Sequence, residues 1–173
     1  MEQLLKEAIK ASVQNFRLPT YEEIPDVGLY LEQTAQYVAD RLAPLQSVSI
    51  TPSMVSNYVK QGLIESPVKK LYYRDQIAYL FFIAAAKTVL SLEDIQTLIR
   101  LQKQTYDTKT AYRYLSQEFE NILFFIFGLK DNLDTVGSEN SDEKAMLRNT
   151  IITVAHKVYL NKSLRALQGK SLF

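Results

Sequence analysis

Four polar side chains, Ser53, Ser56, Asn57 and Lys60, recur three and four positions apart, and an isolated lysine pair, Lys69 and Lys70, follows them. On a helix that spacing puts the four on one face. Their chemistry is recognition by hydrogen bonds and charge. An asparagine amide presents a donor beside an acceptor, the pattern that pairs bidentately with an adenine edge, and ammonium groups suit phosphate oxygens. Thr51 ahead of the run and Arg74 behind it complete the candidate set. Bond-making chemistry has little to work with. The chain has no cysteine and one histidine, His156, whose i+4 neighbour is Leu160. That excludes thiolate nucleophiles, disulfides and zinc fingers, and leaves His156 without a second metal ligand on its own helix. No glycine-rich phosphate loop or nucleophile elbow occurs, so neither an enzyme nor a bound cofactor is expected.

The elements that must position these residues are helices. The sequence has 173 residues, 47% hydrophobic and 23% charged, with only 5 Gly and 5 Pro, too few turn residues for an all-β fold. Apolar periodicity predicts a first helix through Leu4, Leu5, Ala8 and Ile9, and a second over about 29–42 through Leu31, Ala35, Val38 and Leu42. Thr51-Pro52 is a helix start and Gly62 a helix stop, so the candidate face lies on a short helix, Thr51 to Gln61. Between 63 and 73 the period changes to two short extended pieces, with a turn expected at Ser66-Pro67. Further helices are expected from Arg74 to about Val89, from Ser91 to Gln104, from Thr108 to Leu129 and from Asp142 to Leu167. The polar stretch 131–141 between the last two reads as a flexible connector. Its carboxylates, Glu139 among them, lack the spacing of a calcium loop. The run Leu123-Phe124-Phe125-Ile126-Phe127 is apolar nearly all round, which suits a bundle core, a dimer interface or a ligand pocket.

The net charge of +1 is unevenly spread. Residues 1–50 hold four basic and seven acidic side chains, whereas 51–110 hold eight and five. No secretory signal is legible and the longest apolar stretch, 77–90, is too short to span a membrane, so a cytoplasmic protein is expected.

The order helix, capped helix, extended hairpin, helix, helix is that of a winged helix-turn-helix. The run Thr51-Pro52-Ser53-Met54-Val55-Ser56-Asn57-Tyr58-Val59-Lys60-Gln61-Gly62-Leu63-Ile64 resembles the second helix and wing entry of MerR-type regulators. The wider pattern, Leu18-Pro19, Leu29 to Gln33, Ile50 to Met54, Asn57 to Lys60 and Ser66 to Lys70, is similar to the bacterial domain of unknown function 1836 family, regarded as MerR-like. The resemblance implies an all-α fold with a small β-wing. Its parts would be an N-terminal helix (1–17), a winged helix-turn-helix domain (18–105) and a C-terminal helical bundle or dimerisation region (106–173). It further implies a homodimeric transcriptional regulator of double-stranded DNA, with room for a small-molecule effector whose identity is not written in the sequence. Thr51, Ser53, Ser56, Asn57 and Lys60 would face the major groove, and Lys69, Lys70 and Arg74 the phosphates. Two departures weigh against it. Ser56 stands where MerR-type helices usually carry arginine, and Lys69-Lys70-Leu71 replaces the usual Gly-Tyr-Arg of the wing. A protein-interaction adaptor without DNA binding, or a helical small-molecule-binding protein, are therefore the alternatives.

Overall fold

The computed structural model describes residues 2–137 and 140–173; Glu139 of the connector lies outside them. Seven α-helices follow in order among the described residues: α1 (Gln3–Ala11), α2 (Leu31–Leu42), α3 (Pro52–Lys60), α4 (Arg74–Ala86), α5 (Leu92–Thr105), α6 (Thr108–Ile126) and α7 (Asp142–Leu167). The chain is all-α, and no helix of the described residues is long and apolar enough to cross a membrane.

Capping chemistry sets most boundaries. Thr51, Ser91, Asp107 and Ser141 each accept a backbone N–H three residues on, closing the starts of α3, α5, α6 and α7. The long prediction for α6 overshoots. Gly128 (φ +71) turns the chain left-handed, and Leu129 N–H donates back to the Phe124 carbonyl at 2.8 Å, ending the helix at Ile126.

The extended region also departs from expectation. Among the described residues pairing is confined to two isolated bridges, Val68 with Leu71 and Leu29 with Tyr72. The turn is not at Ser66-Pro67. It is the two-residue loop Lys69-Lys70, with φ of +50° and +67°, closed by reciprocal Val68–Leu71 hydrogen bonds of 3.0 and 2.9 Å. Two successive positive φ angles match the right-handed twist of the flanking chain, a geometry in which the turn at a proline is not needed.

One continuous core runs from Ile9 to Leu172. α4 is its centre, with Ile77, Leu80, Phe81, Ile83 and Ala84 buried, and it packs on α2, α6 and α7. The aromatic run of α6 is spent inside the chain. Leu123 and Phe127 are buried, Phe127 sits edge-on to Tyr159 of α7 with centroids 5.1 Å apart, and only Phe125 is exposed. The connector is pinned at Asp134. The buried Asn121 amide donates to the Asp134 carbonyl (2.9 Å) and accepts from its N–H (3.1 Å) and from the Lys130 ammonium (2.7 Å). A side-chain amide pairing with backbone in this way does what a strand neighbour would do, which polar composition does not reveal.

Lys162 of α7 is fully buried, and its ammonium donates to the Leu172 carbonyl at 2.9 Å. Burial, aided by nearby Arg165, pushes it down to about 8 from its ordinary 10.5. The unfolded chain therefore binds more protons between those values, and this group makes stability rise as pH goes from about 8 to 10.5. Lys162→Met, which carries no titrating group, is expected to abolish that rise. Denaturant melts of both proteins across pH 7–10.5 read the difference, since tyrosine ionisation acts on both alike.

Candidate functional site

α3 is held from one side only. Val55 and Tyr58 are buried, and α3 packs on α2. That leaves Ser53, Ser56, Asn57 and Lys60 together on the exposed face, with no side-chain partner among the described residues. Thr51 is exposed but occupied: its hydroxyl oxygen accepts the Met54 N–H at 3.2 Å. Its structural task, starting α3, is therefore visible in the geometry.

The hairpin is assembled from three separate stretches. Leu29 and Tyr72 exchange hydrogen bonds of 2.9 and 2.8 Å, tying the entry to α2 against the exit of the hairpin. Gly28 permits this approach. A Cβ there would meet Leu71 Cβ at 3.1 Å and Tyr73 Cζ at 3.3 Å, and φ is +82°. The Gln76 amide donates to the Glu65 and Ser66 carbonyls at 3.0 and 3.1 Å, fastening the other arm to α4. Neither Gly28 nor Gln76 stands out in the sequence, because each acts through a residue brought near only by folding.

At the tip, Lys69 and Lys70 are exposed and form no ion pair among the described residues. Both occupy left-handed backbone that costs a non-glycine residue about 1 kcal/mol. Asn-Gly is the favoured occupant of such a turn. Two adjacent cations are thus held out on a rigid loop at the expense of stability.

Arg74 lies elsewhere. Its guanidinium donates to the Ile24 carbonyl (2.9 Å) and the Glu22 carbonyl (3.3 Å), lies over the Tyr21 ring and pairs loosely with Asp26 at 3.9 Å. The Tyr21 hydroxyl donates to Asp75, and burial, ahead of that hydrogen bond, pushes the phenol up to about 12. Glu22 in turn pairs with Lys109 and Arg113 of α6, and Lys109 first among them holds its carboxyl down at about 2. Arg74 is thereby bound up in bracing segment 21–26 against α4, and sequence spacing could not show it because the acceptors lie about fifty residues earlier.

His156 is exposed, and no group of metal-ligating side chains occurs among the described residues. No curated protein and no solved structure matches significantly. A family model does match, over residues 19–118, more than half the chain, and it covers α2 to α5, the hairpin and most of α6. The chain belongs to the family described as a domain of unknown function (DUF1836).

Proposed function

We propose that this chain binds double-stranded DNA as a homodimeric transcriptional regulator, with a winged helix-turn-helix in which α3 reads the major groove and the 68–71 hairpin serves as the wing. The observation that carries the reading is the strained display of Lys69 and Lys70, together with a helix, α3, whose free face is uncharged except for Lys60. Strain without a stabilising return points to function. Serines and an asparagine on the groove side suit base edges, and lysines on the loop suit the flanking phosphates. On this reading Asn57→Ala lowers affinity for the preferred site by about 1–3 kcal/mol, relaxes the preference at one base pair and leaves the salt dependence unchanged. Fluorescence anisotropy on a panel of single-base variants measures it. An Asn57→Ala protein with wild-type sequence preference would take α3 out of the groove.

A second copy has an available surface. Leu160, Leu164 and Leu167 follow at i, i+4 and i+7 on α7 and stay about half exposed, whereas Leu123 and Phe127 of the 123–127 run are spent in the chain's own core. A pair of such stripes about a two-fold axis would set two α3 helices for two half-sites. Leu164→Glu is expected to halve the mass seen by sedimentation and to weaken DNA binding with the fold intact. The competing reading, an adaptor on the same scaffold, draws on Ser56 and Leu71 in the places where arginine would strengthen DNA contact.

A further inference from the structure

Between α4, α5, α6 and the start of α7 lies a half-open cavity of about 90 Å³ with an almost wholly apolar wall. Phe82, Leu98, Leu115, Met146 and Leu147 line it, and four of the five are only half-buried because they face this space. Several polar groups at its edge are already paired. The Tyr79 hydroxyl donates to Gln102 Oε1 at 2.8 Å, the Gln102 amide donates to the Tyr106 carbonyl at 2.6 Å, and the Thr105 hydroxyl donates to Glu143 at 2.9 Å. A bound water needs two to four polar partners, few of which this apolar wall offers, and apolar space of comparable size takes up benzene or xenon. Glu143 and Lys144 are the charged residues on its lining, and the apolar remainder of the wall would strip a charged ligand of its hydration.

Tyr79 belongs to a second space as well. It lines both the apolar cavity and a neighbouring polar groove that reaches Glu65 and Gln76. Gln76 is one helical turn before Tyr79 on α4 and is the residue that fastens the hairpin through the Glu65 and Ser66 carbonyls. A molecule pressing on Tyr79 therefore bears on the base of the loop that carries Lys69 and Lys70.

We propose that the α4–α7 cavity is a binding site for a small uncharged molecule of about single-ring size, and that its occupancy is transmitted through Tyr79 and Gln76 to the lysine hairpin. The binding site stands on the cavity alone; its meaning as an effector site rests on the DNA-binding reading.

The test uses the full chain without DNA, so that its failure is separate from failure of that reading. Fluorobenzene is titrated into isotopically labelled protein, with benzoate as the charged ring of similar size. The expected result is saturable binding of fluorobenzene alone, with shifts of the Leu98, Met146 and Leu147 methyl resonances, a raised Tm and shifts of the backbone amides between 65 and 72. Ala111→Leu, which fills the space from α6, is expected to abolish the response; Leu98→Phe fills it from α5 and serves if the first variant does not fold. Absence of saturable binding, or equal binding by benzoate or by a folded filled variant, overturns the site. Binding that leaves residues 65–72 unmoved overturns the transmission.

Discussion

The double substitution Lys69→Asn/Lys70→Gly is expected to make the protein more stable while it weakens DNA binding. Both lysines sit at positive φ in a loop whose ideal occupants are asparagine and glycine. Relieving two left-handed lysines is worth about 1–2 kcal/mol together, a rise in Tm of roughly 2–8 °C for a chain of this length. The same change removes two phosphate-seeking cations from each protomer. Affinity at physiological salt is expected to fall roughly 10–100-fold, and the slope of log K against log salt to shrink by about 2 per protomer. Opposite signs on the two readouts make the result informative, since an ordinary destabilised variant would lose both together. Unchanged stability would mean the loop holds no strain, and unchanged binding would take the hairpin out of the interface.

Arg148→Met is expected to produce the largest loss of stability. Glu118 on α6 is completely buried, with Oε1 3.1 Å from Arg148 Nε of α7 and Oε2 3.3 Å from the Asn121 amide. The Arg148 contact is an ion pair outside good hydrogen-bond geometry, so it is mostly charge compensation. Removing it leaves a carboxylate out of water with one weak donor, which costs about 3–5 kcal/mol. The expected fall in Tm is roughly 6–20 °C. Adding Glu118→Gln to Arg148→Met removes the buried charge and is expected to restore most of the loss. A single variant that melts within a degree or two of wild type would show that Glu118 does not depend on Arg148.

The helices were legible where punctuation and period agree. Thr51-Pro52 with Gly62 brackets α3, and the Asp142–Leu167 reading of α7 matches the observed helix end for end. Gly128 carried the correct stop for α6, yet the apolar Leu129 beyond it continued the period and masked the signal. The hairpin turn was not legible, because its left-handed pair lacks the glycine or asparagine that normally marks one. Instead, Pro67 places the expected turn three residues too early. Of the candidate residues, the α3 face and the lysine pair emerge exposed, and unpartnered among the described residues. Thr51 is engaged as a cap and Arg74 as a brace, both by contacts that residue type leaves open. That the apolar stripe on α7 is uncovered is not legible in the sequence for a related reason. Leu160, Leu164 and Leu167 have the spacing of core residues, and nothing local distinguishes a covered stripe from an uncovered one.

Selection of bound duplexes from a randomised library, carried out with the wild-type chain near physiological salt and repeated across a salt series, tests the central claim most directly. The account predicts enrichment of a two-fold symmetric motif with half-sites about one helical turn apart and affinity that falls steeply as salt rises. Failure to enrich any sequence, or weak binding that ignores sequence, would contradict it and turn the α3 face and its lysine hairpin into a surface for a protein partner.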